Sequence, residues 1–245
     1  MWVLALDTTT RDGSVALVRD DTVVVARPGD PGVSHAERVP ADLRALLAEA
    51  GLALGAVDVF AVATGPGGFT GLRIGLAAIQ GLALALGRPT AGVPSLDALA
   101  WDLLDRDRAA QTAGVWMDAS RGEVFAAAFT RPASTVAVPP QWPLTPLAPA
   151  TAATPLETIA AWEGLVPSGS ALVAACQPAA AAQAAAAGYG TVPPATHLAG
   201  VVGRLAWRLH QTGRTGPPAT LAPEYVRRPD VEIERDRRRT AGPLG

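Results

Sequence analysis

Lysine is absent from this chain of 245 residues, and apart from three histidines every basic side chain is an arginine. Alanine is used heavily as well, so the absence reads as coding bias and carries no function. One cysteine, Cys176, excludes an internal disulfide and any metal site built from several cysteines. The histidines, His35, His197 and His210, make no pair at helical spacing and no H-E-x-x-H, so no metal centre is expected from this chain. Charged residues are 17% against 49% hydrophobic, which excludes a solvated, disordered chain over most of the length. A net charge of -2 excludes a surface that binds polyanions as a whole. Arg73 and Gln80 interrupt the longest apolar run, leaving it short of the ~18 uninterrupted residues of a membrane span. The start, Trp2 to Asp7, alternates like a strand and lacks the basic, cleavable pattern of a signal peptide. A globular, cytoplasmic protein without a membrane segment is the expectation.

What is present is organised around Thr64 to Gly75 (TGPGGFTGLRIG), which joins an apolar strand-like run, Val59 to Ala63, to a long apolar helix ending near Leu86. Glycines and Pro66 suit a strand-to-helix turn with close backbone approach, and Thr70 is placed to cap the helix. On a helical wheel Leu72, Leu76, Ile79, Ala83 and Leu86 form one stripe, beside a stripe of mostly small side chains at Gly71, Gly75, Ala78 and Leu82. A helix so apolar needs cover on more than one side. Either it is a core helix of this chain, or the small stripe lies on its own sheet and the large one meets another helix or subunit.

Taken in order, Trp2–Asp7, Gly13–Val18 and Thr22–Arg27 read as a three-stranded meander. Ser34-His35-Ala36-Glu37 fits a capping box for a helix through Val39, Leu43, Leu46 and Ala50, with Pro40 inside it. A strand (Val57–Thr64), the glycine turn and its helix follow, then a strand (Arg88–Val93) and a helix capped by Ser95. The order then begins again. Ala113–Asp118 and Gly122–Thr130 pair about Ala119-Ser120-Arg121, with a third strand near Thr135–Val138. Pro139 to Pro155 reads as an irregular connection, followed by a helix (Pro155–Trp162), a strand (Ala171–Cys176), an alanine-rich helix (Pro178–Ala187) and a final helix (Thr196–Gln211). The fold class is α/β, two tandem β-β-β-α-β-α units with the second reduced. The divisions are 1–104, 105–195, and 196–245 as a closing helix and Arg-rich tail.

Each unit ends its first strand on an aspartate, Asp7 and Asp118, which would face each other across a cleft. Tandem units of this kind resemble the actin/Hsp70/sugar-kinase-like (ASKHA) fold, where hairpins after the first strands grip nucleotide phosphates. Here the grip is degraded, because Thr8, Thr9 and Thr10 follow Asp7 where a glycine is needed. Arg121 and Gly122 keep more of it in the second hairpin, although Arg121 and Glu123 are also placed to pair across that hairpin. The glycine turn is neither a phosphate-binding P-loop nor a complete dinucleotide fingerprint. It suits an anion at the helix N-terminus or, by preference, close strand–helix packing. Cys176 reads as a small buried hydrophobe. In the tail, Arg235, Arg237, Arg238 and Arg239 suit phosphate contacts on a nucleic acid, against the plainer reading of a solvated tail.

WVLALDTTTRDGSVALV (from Trp2), SHAE (from Ser34), GPGGFTGLRIG (from Gly65), AIQGLA (from Ala78), DASRGEVF (from Asp118) and PEYVR (from Pro223) together resemble the bacterial TsaB family, also called YeaZ. The resemblance runs nearly end to end. Gly68 stands where the family commonly has serine, and the Pro-rich region after Arg131 resembles nothing in particular. The resemblance implies a noncatalytic subunit of the machinery that places threonylcarbamoyl on N6 of the adenosine beside the anticodon. Its partners would be the transferase TsaD, the ATPase TsaE and, when alone, a second copy, with tRNA reached only through the complex. It further implies a partner interface at Val39, Leu43, Leu46, Leu47, Leu72, Leu76, Ile79 and Ala83, rimmed by Arg73 and Gln80. No cofactor would bind this chain alone, though a nucleotide could lodge between subunits, and Asp7, Thr8, Thr9, Asp118, Arg121 and Gly122 would be a vestigial nucleotide cleft. The competing reading is an ATPase or small-molecule kinase of the same fold using Asp7 and Asp118; a peptidase would need a metal or nucleophile that the chain does not display.

Overall fold

Period-two alternation in the first strand sends Val3 and Ala5 to one side of a sheet and Leu4 and Leu6 to the other, and all four are fully buried. A sheet buried on both faces requires a layer on each. A computed structural model, describing residues 1–131, 144–194 and 197–227, shows those layers.

The first unit runs β1 (Trp2–Asp7), β2 (Ser14–Arg19), β3 (Thr22–Pro28), α1 (His35–Glu49), β4 (Val59–Gly65), α2 (Phe69–Leu86), β5 (Thr90–Pro94) and α3 (Ser95–Arg106). The second repeats it as β6 (Thr112–Asp118), β7 (Val124–Thr130), β8 (Thr145–Ala153), α4 (Pro155–Trp162), β9 (Ala171–Ala175), α5 (Pro178–Ala186), β10 (Gly190–Val192) and α6 (Leu198–Gln211). The sheets have matching orders, β3-β2-β1-β4-β5 and β8-β7-β6-β9-β10, with the meanders antiparallel and the remaining pairs parallel. The tandem expectation therefore holds, with each unit extended by one strand and one helix. The reduction of the second lies in its outer helices, since α4 and α5 have 8 and 9 residues against 15 and 18 for α1 and α2.

Helices α1 and α2 cover the outer face of the first sheet, where Leu4, Leu6, Leu17, Phe60 and Val62 pack with Leu46 and Ile79. Trp116, Trp162 and Tyr189 mark the equivalent outer cluster of the second. Between the sheets lie α3 and α6, crossed over. Helix α6 packs on β1, β2 and β4 of the first sheet, while α3 packs chiefly on β6 of the second. Arg204 of α6 joins Asp21 in the β2–β3 turn to Asp105 of α3, with contacts of 3.3 and 2.9 Å.

Several local expectations are corrected. The N-cap of α2 is Gly68, with Phe69 as first helical residue, so Thr70 is inside the helix and does not cap it. Pro94 occupies the N-cap of α3, and Ser95 is its first helical residue, buried with no hydrogen-bond partner for its hydroxyl among the described residues. The connection expected across Pro139–Pro155 contains β8, and β10 was not anticipated. The strand expected near Thr135–Val138 lies outside the described residues. The capping box of α1 is present, with the backbone N–H and hydroxyl of Ser34 both donating to Glu37.

Candidate functional site

The threonines after Asp7 and the glycine turn explain each other. Gly68 N–H donates to the Thr9 carbonyl at 2.9 Å, and the Thr8 hydroxyl donates to the Gly71 carbonyl at 2.8 Å. A Cβ at Gly67 would lie 2.5 Å from Cβ of Thr9, and one at Gly71 or Gly75 would strike the Thr8 carbonyl or hydroxyl oxygen. The small residues are there so that the β1–β2 loop can lie directly on the first turns of α2. The Thr9 carbonyl thereby occupies a donor that an anion at this helix end would need. Of the two uses read for this turn, the geometry shows close packing.

His35 and Arg38 brace the same loop from α1. Arg38, buried, donates to Asp42 at 2.6 Å, to the Asp12 carbonyl, and to Nδ1 of His35 at 2.8 Å. His35 Nε2 then lies 3.0 Å from the Thr10 carbonyl, which requires the neutral ring with its proton on Nε2. Burial, followed by the Arg38 charge, holds the His35 pKa below its ordinary value, in agreement with that tautomer.

Between the units opens a cleft of about 940 Å³ lined by Asp7, Thr9, Asp12, Asp118, Ser120, Cys176, Gln177, Leu99 and Leu198, among others. Asp7 and Asp118 share it, as pseudo-symmetry required. Asp7 is buried, and one carboxylate oxygen accepts from the Thr9 backbone N–H at 2.8 Å and the Thr9 hydroxyl at 2.6 Å. Burial raises its pKa against the pull of those two bonds. Asp118 accepts from Ser120 N–H at 2.8 Å and Gln177 at 3.1 Å. Thr8 belongs to the lock on α2 rather than to the cleft lining. Arg121 and Gly122 form the second hairpin turn, left-handed with Ser120 at φ of 57, 78 and 62°. Glu123 pairs with Arg227 at 2.6 Å, not with Arg121 as the hairpin spacing suggested. Cys176 is half-buried, its thiol pushed up to about 11 by burial and then by Asp118, so it is no thiolate. Among the described residues no three His, Cys, Asp or Glu side chains converge as a metal site.

The side chains expected at a partner interface lie largely within this chain. Val39, Leu43, Leu46, Leu47, Leu72, Leu76, Ile79 and Ala83 are all at most 9% exposed, and all but Leu72 pack in the outer cluster of the first sheet. In the chain alone Leu43, Leu47 and Leu76 keep 5 to 9% of their surface, so this set underlies the open surface of the helices more than it forms it. The open face of α2 is a third stripe, Phe69, Arg73, Ala77, Gly81 and Leu84, with Leu84 at 75% exposure. Gln80 is held within the chain, donating to the carbonyls of Pro218 and Leu221 at 3.0 and 3.1 Å. Those carbonyls belong to a C-terminal strap, residues 213–227, within the region expected to be a closing helix and tail. It pairs with Thr90 through Gly216, reaches Thr64 through Glu224 N–H at 2.7 Å, and ends with Arg227 on the second hairpin. Arg235, Arg237, Arg238 and Arg239 lie outside the described residues.

The profile of the family described as "TsaD: tRNA N6-adenosine threonylcarbamoyltransferase" matches residues 27–141. The tRNA threonylcarbamoyladenosine biosynthesis protein TsaB of Escherichia coli is 36% identical over 131 residues, 54% of this chain and 56% of that protein. The chain thus spans only about half the length of the curated relatives it matches. In three dimensions the likeness is longer. YeaZ from Pseudomonas aeruginosa superposes with a TM-score of 0.66 at 27% identity, covering 91% of this chain and 100% of that one. Component A of (R)-2-hydroxyglutaryl-CoA dehydratase from Acidaminococcus fermentans, at 9% identity and a TM-score of 0.50 over 85% of this chain and 98% of its own, shows the wider fold alone. The architecture is accordingly of the ASKHA type. With the threonine loop locked on the glycine turn and the tandem sheets, the chain is similar to the TsaB proteins, also called YeaZ, in sequence over about half its length and in fold over nearly all of it.

Proposed function

We propose that this chain is a noncatalytic, partner-binding subunit of the cytoplasmic machinery that makes threonylcarbamoyladenosine in tRNA, and that it docks on and activates the transferase TsaD through the open face of α2. One observation carries the reading: an 18-residue helix with a single charge leaves Phe69, Ala77, Gly81 and Leu84 exposed beside Arg73. Leaving a large side chain such as Leu84 in water forgoes roughly 1.5 to 3 kcal/mol of burial, which a partner would recover. The match of the TsaD-family profile to residues 27–141 spans both α1 and α2, so a partner of that family would carry a related helix pair. Two chains with the same helix pair can meet about a two-fold axis, which fits a second copy as well as TsaD. In this reading Leu72, Leu76 and Ile79 stiffen the face from within. Thr9's hold on Asp7 supports a role without phosphate chemistry and weighs against an ATPase or kinase using Asp7 and Asp118. TsaE, tRNA and any nucleotide between subunits would be met in the complex.

Light scattering of the purified chain, alone and mixed with TsaD, tests this beside Leu84→Glu. The wild type should form a mixed complex, and the variant should not, while melting at the wild-type temperature because residue 84 is exposed. Full binding by Leu84→Glu, or a wild type indifferent to TsaD, would sink the proposal.

A further inference from the structure

One end of the open face differs from the rest. Phe69 and Tyr225 are exposed by 39% and 41%, and their rings stack with centroids 5.5 Å apart at 29°. The Arg73 guanidinium lies 4.0 Å from the Phe69 ring centroid, and its Nε–H donates to the Tyr225 hydroxyl at 3.1 Å. Phe69 and Arg73 stand one turn apart on α2, whereas Tyr225 comes from the strap. The strap is fixed on both sides of Tyr225, by Glu224 N–H on Thr64 and by Arg227 on Glu123. The cluster is therefore ordered before any partner arrives, which removes much of the side-chain entropy that binding would otherwise cost.

Arg73 is the only charged residue of α2, and among the described residues it has no carboxylate partner. With Nε bound to Tyr225, the terminal nitrogens keep their donors for a planar anion. Resting on the proposed docking role, we propose that Phe69, Arg73 and Tyr225 are the anchor of the partner face. Arg73 receives a free carboxylate from the partner's helix pair, and that contact selects a different chain over a second copy. In a second copy's helix pair every acid already has a partner within its own chain, so Arg73 would have to compete for it. The acids of α1 are Glu37, Asp42 and Glu49; Ser34 donates to the first, Arg38 to the second at 2.6 Å and Arg27 to the third at 3.2 Å, and α2 carries none. Meeting itself, the face would cover Arg73 without a free counter-charge, the arrangement that disfavours a wrong partner. Aromatic and arginine side chains are also the types that dominate interface energetics.

Calorimetric titration of the full chain with TsaD and sedimentation equilibrium of the chain alone form the test, for wild type, Arg73→Ala, Tyr225→Phe and Leu84→Glu. Arg73→Ala should weaken the mixed complex about tenfold or more and flatten its salt dependence, while self-association holds or tightens. A chain that stays monomeric alone meets the second condition outright. Tyr225→Phe keeps the stack but removes the acceptor that aims Arg73, and should weaken the mixed complex about threefold. All three side chains are exposed or at the rim, so unchanged melting confirms intact folding. A mixed complex unchanged within about twofold by Arg73→Ala, or an equal loss in both equilibria, overturns the inference. If Leu84→Glu abolishes binding and Arg73→Ala does not, the face stands and only its anchor falls; if neither matters, the docking proposal itself has failed.

Discussion

Gly71 and Gly81 lie on one helix in opposite surroundings. A Cβ at Gly81 would find no atom within 4 Å, whereas one at Gly71 would strike the Thr8 carbonyl oxygen. Gly81→Ala should therefore gain most of the helix-propensity difference, roughly 0.5 to 1 kcal/mol in a urea titration. Gly71→Ala gains the same propensity but must push back the β1–β2 loop, and overpacking of about 1 to 3 kcal/mol or more makes it a net loss. Equal effects at the two sites would mean that the loop does not rest on α2. Asp97, in the first turn of α3, is pushed up to about 6 by burial and then by Glu224 on the strap, from an ordinary 3.8. The folded state then holds that proton more tightly than the unfolded chain. Stability from this group is fully present below about pH 4 and is lost as pH rises through about 6, by something on the order of 2 kcal/mol. The difference between wild type and Asp97→Asn in unfolding free energy should fall across that window. In sequence Asp97 reads as an acid complementing the N-terminus of α3; its raised pKa was not legible, because it is set by burial and by a strap more than a hundred residues away. Asp7 was legible as a strand-end carboxylate, and its capture by Thr9 followed from the hydroxyls already noted beside it.

Elements were legible where their period was strong and failed where position in the sheet overrode composition. β8 contains Pro146 and Pro149, which read as a connection, yet it is the edge strand of its sheet, where a missing N–H can face away from the ladder. β10 is also an edge and only 3 residues long, too short for any alternation to show. For α2 the wheel identified the apolar stripes and could not tell which of them this chain would cover itself. Leu76 went inside and Leu84 stayed out because the placement of α1 and β4, not hydrophobicity, decides between them. The strap had no periodicity to announce it, as its order comes from hydrogen bonds to other elements. Gln80→Ala would remove the donor to two strap carbonyls, each bond contributing about 1 kcal/mol net. Hydrogen exchange at the Glu224 amide should accelerate several-fold while the global melting temperature hardly moves, since a strap can open without the core. An unchanged Glu224 amide would show that the strap is held elsewhere.

At the scale of the molecule the repeated order of the two units was readable, down to the paired aspartates; the exchange of α3 and α6 between sheets was not, because nothing in either helix names the sheet it will meet. That exchange makes the interior common property of both units. Leu205→Ala on α6, at a fully buried site between the sheets, should cost about 2 to 5 kcal/mol. Unfolding should stay a single transition, with near-ultraviolet signals from Trp116 and Trp162 in the second unit moving together with the far-ultraviolet signal. Separate transitions would mean that the units are independent. The crossing also bears on how the chain is made. The inner face of the first sheet, with Val3, Ala16, Val18 and Ala61, is covered by a helix that begins only at Leu198. During synthesis the first unit must leave the ribosome with that face bare and wait for nearly the whole second unit to be translated, so its native packing is reached after translation, and a trigger factor or similar holdase would find its binding surface there.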